Sequence, residues 1–159
     1  MSRHRYNPER GRVDPRDLPR GPQGRALCRH CGAEVPPRRR TFCSEGCVHE
    51  WKLRSQATYL RRQVFARDHG RCAACGLVVP AVKKRLDKLR RECGESTWMV
   101  RLKRLGFWDC RDRTWWEVHH IKPVAEGGGM CSLTNVCTLC VPCHRRTTRR
   151  VRKRQGSRS

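Results

Sequence analysis

The chain has 159 residues and a formal charge of +23, from 37 Lys+Arg against 14 Asp+Glu. That length holds one small domain, or one with a minor module, and folding gives no reason for such an excess, because self-repulsion weakens a compact state. A polyanionic partner is the expectation, with nucleic acid ahead of an anionic membrane surface. No apolar run approaches a membrane span and no signal peptide precedes the first charges, so no membrane is expected, and an intracellular, cytoplasmic setting is. Arg outnumbers Lys 30 to 7, which suits a GC-rich, bacterial source.

Twelve cysteines are many for this length. Eight fall in close pairs, at 28/31, 43/47, 72/75 and 140/143. Two thiolates two or three residues apart can turn toward one ion, whereas that spacing is awkward for four independent disulfides. Two structural Zn2+ ions in a reducing compartment are therefore expected. With only three Phe and two Tyr the core is thin, and zinc ligation supplies folding free energy directly.

Residues 1–24 are rich in Arg, Pro and Gly without apolar periodicity, and read as a disordered basic arm. Residues 25–54 form a four-cysteine zinc module. Its Cys28, Cys31, Cys43 and Cys47 are spaced C-x2-C-x11-C-x3-C, with Pro36-Pro37 and Arg38 to Arg40 in the intervening loop. Ser44 is a candidate helix N-cap that places Cys47 in the first turn, in treble-clef style. Helix is expected from Ser44 to about His69, with a break near Ser55–Thr58 and a stop at Gly70.

Cys72-x2-Cys75-Gly76 is a second knuckle. A helix is expected over 81–92, carrying Leu86 and Leu89, then a short helix and loop over 93–113. Cys93, Cys110, Cys131 and Cys137 read as buried small apolar residues. Trp115 to His120 has strand character, a Gly-rich turn follows at 127–129, Val136 to Leu139 suggests a second strand, and helix is expected from Cys143. Residues 55–150 are taken as one domain and 151–159 as a basic tail.

Within that domain stand His119-His120-Ile121, Pro123, Gly127-Gly128, Leu133-Thr134-Asn135, Leu139-Cys140, Cys143-His144 and Thr147. This constellation resembles the HNH, or ββα-metal, endonucleases. The wider layout over about 28–150 is similar to the HNH domains that end vertebrate fork-remodelling annealing helicases, and to short bacterial HNH proteins. The resemblance implies an α+β fold: a small zinc-stapled ββα-metal, treble-clef-like domain with the N-terminal four-cysteine module and connecting helices. It implies a metal-dependent DNA endonuclease that works by one-metal hydrolysis and leaves 5′-phosphate and 3′-hydroxyl ends.

By the same resemblance His120 is the general base, His119 and His144 bind the catalytic divalent metal, and Asn135 fixes the loop that orients His120. Alternation along the strand sends the side chains of His119 and His120 to opposite sides, which suits one ligand and one base. Where some members of the family carry a third His, this chain has Thr148. Position 119 is more commonly Asp. An imidazole there is a softer donor that weakens Mg2+ relative to Mn2+, Co2+ or Ni2+; Mg2+ or Mn2+ is still the expected ion, with Ni2+ or Co2+ as alternatives. Cys72, Cys75, Cys140 and Cys143 should share one structural zinc that fixes the helix start beside His144. Arg145, Arg146, Arg149 and Arg150 are the expected contacts to the DNA backbone. Cutting both strands would call for a homodimer or two successive events, and a targeting partner is a further expectation. The rival reading is a non-catalytic zinc-bound nucleic-acid-binding module that keeps the HNH frame as a scaffold.

Overall fold

A computed structural model describes residues 13–108, 110, 114–123 and 132–156. The expectations for residues 1–12, the Gly-rich turn at 127–129, Cys131 and the tail at 157–159 lie outside the described residues. The chain divides into two compact units, one built mainly from residues up to Leu60 and one mainly from Arg61 onward.

In the first unit, residues 13–24, read from the sequence as part of a basic arm, carry structure. A 3-10 turn at Pro15–Asp17 is capped by Asp14, whose carboxylate accepts from the Arg16 N–H at 2.9 Å. Leu18 is only 3% exposed and packs with Ala26, Cys28 and Val35. Val13 packs against the same cluster, and two apolar side chains with somewhere to go tie down a segment whose composition suggests otherwise. Helix α1 (Glu45–Ser55) starts where Ser44 accepts the Cys47 N–H at 3.1 Å. It ends at Gln56, whose extended φ of −129° breaks the run before α2 (Ala57–Asp68).

In the second unit α2 stops because His69 and Gly70 both take left-handed φ values, 50° and 68°. A Cβ at Gly70 would lie 2.8 Å from Pro80, so only glycine fits this close approach. Helix α3 runs Val79–Leu105, longer than the sequence reading of 81–92. Gly94, at φ 80°, interrupts it, and the chain resumes as helix because Trp98 and Leu102, one turn apart, are both buried. Cys93, beside this kink, is exposed rather than buried, while Cys110 is buried and Cys137 half-buried.

Strands β1 (Trp116–His120) and β2 (Val136–Cys140) pair antiparallel, with His119 opposite Cys137 and His120 opposite Val136. Helix α4 (Val141–Gly156) leaves β2 without a linker. The result is a ββα unit within an α+β fold. Its core joins Leu86, Trp98 and Leu102 of α3 to Leu139, Val141 and a stacked Phe107–Trp115 pair with ring centroids 5.1 Å apart.

Candidate active site and metal centres

Each unit gathers four cysteines. In the first, Cys28, Cys31, Cys43 and Cys47 bring their sulfurs within 4.8 Å of one another. The knuckle closes through Gly32 N–H to Cys28 C=O at 3.0 Å, with Gly32 at φ 75°. Sulfur separations are 3.5 Å for Cys31–Cys43, 3.3 Å for Cys43–Cys47 and 3.7 Å for Cys31–Cys47. Four thiolates about 2.3 Å from a tetrahedral zinc would stand about 3.8 Å apart, so the donor set and its spacing fit that ion. Burial pushes the Cys28 thiol up, but backbone hydrogen bonds from Cys31, Cys43 and His30 outweigh it and bring it down to about 6. Hydrogen bonding with Cys47 and Cys31 pushes Cys43 up to about 12.

The second cluster, Cys72, Cys75, Cys140 and Cys143, also lies within 4.8 Å, with Cys75 and Cys140 sulfurs 3.8 Å apart. Its knuckle is sewn to the sheet by Ala73 N–H donating to Thr138 C=O at 2.8 Å. Burial raises Cys72, yet backbone hydrogen bonds from Cys140, Ala74 and Cys75 bring it to about 7, while burial raises Cys140 strongly. This set draws two ligands from the knuckle, one from the end of β2 and one from the first turn of α4.

His144 follows Cys143 directly. Its ring meets that of His119 edge to face, centroids 5.5 Å apart and planes at 77°. Two imidazoles bound to one ion at about 2.1 Å have centroids about 5 Å apart, so this pair suits a shared divalent ion. Burial, then the neighbouring His144 and His120, lower the His119 pKa, which keeps its lone pair free for a metal. Among the described residues only the two cysteine clusters bring three or more such donors together. A metal at His119 and His144 would therefore complete its shell with water and phosphate.

His120 is half-buried and leaves β1 on the side opposite His119. Asn135 brackets the chain just beyond it. Its side-chain oxygen accepts from Lys122 N–H at 2.9 Å, its amide donates to Lys122 C=O at 3.0 Å, and its own carbonyl accepts from Ile121 N–H at 2.8 Å. All three bonds hold the exit of β1 against the entry to β2.

The four arginines of α4 expected to contact the DNA backbone separate. Arg145 stacks over Trp108 at 5.4 Å and donates to Gly106 C=O at 3.5 Å. Arg146 donates to the Cys143 sulfur at 2.9 Å. Arg149 and Arg150 are exposed.

Sequence reasoning gave no role to Arg61, Arg67 and Asp68 of α2. Arg61 donates to Glu117 at 2.8 Å and to Trp116 C=O at 3.0 Å, with its guanidinium 4.2 Å over the Trp116 ring. Arg67 donates to Val136 C=O at 2.8 Å and to Leu133 C=O, on either side of Asn135. Asp68 accepts from both the N–H and the hydroxyl of Thr138, at 3.0 and 2.8 Å. A signal existed: an acid in the last turn of a helix opposes the helix dipole, and so asks for another partner.

Comparison with known proteins follows from residues 108–150, which match the family model described as HNH endonuclease. The mouse protein "DNA annealing helicase and endonuclease ZRANB3" is 35% identical over 150 residues, 83% of this chain and 14% of that protein. The bovine protein of the same name is 38% identical over 122 residues, 71% of this chain and 11% of that protein. The chain thus spans 14% or less of the length of these curated relatives. The crystal structure of the human ZRANB3 HNH domain is 34% identical and matches with a TM-score of 0.49, over 65% of this chain and 97% of that one.

Proposed function

Because the chain belongs to the HNH endonuclease family through residues 108–150, we propose that it is a metal-dependent DNA endonuclease, hydrolysing phosphodiester bonds to 5′-phosphate and 3′-hydroxyl ends. The observation that carries this reading is the 5.5 Å approach of His119 and His144, on the face of β1 opposite His120.

His119 and His144 would hold one divalent ion. When bound, that ion supplies positive charge to the phosphate and to the departing oxygen. His120 takes the proton from the attacking water, work an imidazole performs near neutral pH. Asn135 keeps Ile121 and Lys122 in place, and so fixes the direction from which His120 acts. Burial, then the neighbouring His144 and His120, lower the His119 pKa, which favours the neutral form that a ligand needs. Two imidazoles and no protein carboxylate favour Mn2+, Co2+ or Ni2+ over Mg2+ relative to an Asp-bearing site. Arg149 and Arg150 meet phosphates beside the site, contacts that position a duplex without reading its sequence. Arg145 and Arg146, engaged with Gly106, Trp108 and Cys143, brace the helix start more than they reach outward. Zinc in both cysteine clusters supplies the frame.

The test is cleavage of supercoiled plasmid by wild type and His120→Ala, each with EDTA, Mg2+, Mn2+ and Ni2+ at stated salt. His120→Ala should lose activity by about 100- to 10,000-fold, the range for a general base, with melting, zinc content and DNA binding kept. Cleavage retained by that variant removes His120 from the mechanism. If neither protein cuts with any metal while both bind DNA, the non-catalytic module is the better reading.

A further inference from the structure

Far along the chain from the histidines, the first unit contains an open cleft of about 650 Å3. Five arginines line it, at 16, 20, 25, 39 and 40, against one acid, Asp14. That acid is already used: Arg16 grips its carboxylate at 2.8–3.2 Å and holds its pKa down to about 2. Arg39 is paired with Glu45 at 2.8 Å, outside the lining. Among the described residues Arg25 and Arg40 have no ion pair, and both are exposed.

The cations sit on two braced loops. Residues 20–26 form a tight hairpin, with Gly21 N–H to Arg25 C=O at 2.8 Å and Gly24 N–H to Gly21 C=O at 2.9 Å. Glu34 pins that hairpin by accepting Gln23 N–H at 2.8 Å. A Cβ at Gly21 would lie 2.2 Å from that carboxylate, so the loops are closely apposed. The second loop is a turn closed by Arg39 N–H to Pro36 C=O at 3.2 Å. Pro37 presets its first corner, and Arg38 takes φ 72° at the second, where glycine would cost nothing. A non-glycine residue held there is strained backbone, of the kind that collects at functional sites.

The chemistry of the lining selects the ligand. Its remaining residues are Pro, Gly, Ala and Val, with no aromatic platform for bases to stack on. Guanidinium groups spread over two loops suit a polyanion with repeated charge better than one isolated phosphate, and planar guanidinium matches phosphate oxygens. We propose that this cleft is a second nucleic-acid site, a clamp in which Arg20, Arg25 and Arg40 hold the sugar-phosphate backbone of DNA. The clamp rests on the reading that the chain acts on DNA, and adds an anchoring point separate from the histidine site.

The experiment is fluorescence anisotropy of the zinc-loaded full chain with a labelled 20-base-pair duplex, without added Mg2+ or Mn2+, over a salt series. Wild type is compared with Arg25→Ala/Arg40→Ala and with Arg54→Ala/Arg91→Ala, which removes two exposed charges elsewhere. The cleft pair should weaken binding about tenfold near physiological salt and lower the slope of log K against log salt by about 2, close to one per lost phosphate contact. The other pair should change affinity less than about threefold. Zinc content and melting show that each variant is folded. Equal losses in both pairs, or none in the cleft pair, overturn the clamp, and in the second case a phosphorylated or acidic protein becomes the candidate ligand. Wild-type nicking measured alongside separates the failures. Nicking with unaltered binding by the cleft pair removes the clamp alone; no nicking and no binding by wild type removes the nuclease reading with it.

Discussion

The two cysteine clusters use one donor set for two different jobs. The pairs of the first are 11 residues apart, between Cys31 and Cys43, and those of the second 64, between Cys75 and Cys140. Chain-closure entropy separates them by only about 1.5 kcal/mol, since it grows with the logarithm of loop length. What differs more is what each holds. Each has one exposed ligand, Cys31 and Cys75, but the first has beside it only a core of four small or medium residues, Leu18, Ala26, Cys28 and Val35. The second buries Cys72, Cys140 and Cys143 within the main core and stands next in sequence to His144. One cluster replaces a core that the first unit lacks; the other is part of a core and also sets a catalytic candidate in place.

The sharpest way to break this contrast is to remove one ligand from each. Cys140→Ser and Cys31→Ser should each lose one equivalent of zinc. A four-thiolate site is worth on the order of 10 kcal/mol at neutral pH, comparable to the whole stability of a small domain. Cys140→Ser should therefore unfold the second unit and abolish cleavage. Cys31→Ser should loosen the first unit and leave cleavage at saturating DNA within a few-fold of wild type. Zinc stoichiometry, thermal melting and plasmid nicking read all three. Loss of cleavage in both variants would mean that the units fold as one body.

Smaller, and confined to the second unit, is the effect of Asp68. It accepts two hydrogen bonds from Thr138, which is fully buried, and two from Arg67. Asp68→Asn should cost about 2 kcal/mol, as for hydrogen bonds to a charged group, and should lower kcat more than DNA affinity, because Arg67 steadies the turn that carries Asn135. Hydrogen bonds from Arg67, against opposing burial, and then Thr138 hold the Asp68 carboxyl below its usual range. Its folded pKa lies below the unfolded one. Its contribution is therefore complete above about pH 4, and is lost as pH falls through the folded value. The stability gap between wild type and Asp68→Asn should stay constant from neutrality to about pH 5 and close below the carboxylate range. A gap that persists in acid would mean that Asp68 acts through shape alone.

Arg67 and Asp68 also show where sequence reading stops. The order strand, strand, helix was legible because its signals are local: alternation in Trp115 to His120, cysteine pairs at knuckle spacing, and glycines at 70 and 76. His119, His120, Asn135 and His144 could be named from the resemblance to HNH endonucleases, but the 5.5 Å meeting of His119 with His144 is a product of strand pairing and the tight β2–α4 junction. Arg61, Arg67 and Asp68 find partners 55 to 70 residues away, and apart from the acid of Asp68 at the end of a helix nothing in their own neighbourhood points to them. The helix expected over 81–92 continues past Gly94 because Trp98 and Leu102 are buried. Leu18 is the converse case, an apolar residue in an Arg, Pro and Gly background, whose ordering depends on packing with Ala26, Cys28 and Val35.

The finest test of the comparison lies in how each unit starts the helix that donates its last cysteine. In the second unit α4 leaves β2 directly, and Val141 N–H donates to Trp115 C=O at 3.1 Å, so the sheet itself fixes the helix start. Among the described residues the first unit has no such sheet, and α1 starts on one side chain, Ser44, which accepts the Cys47 N–H. Ser44→Ala should cost about 1 kcal/mol, the usual worth of an N-cap, and an exposed helix end lets water recover part of it. Since α1 carries Cys47, that loss should appear as zinc affinity: about fivefold weaker retention of one zinc against a chelator, with the second zinc and plasmid cleavage unchanged. Ser44→Asp keeps an acceptor at the cap and should retain zinc as wild type does. If Ser44→Ala releases both ions together, the two clusters are not independent, and the division of labour between them fails at its weakest point.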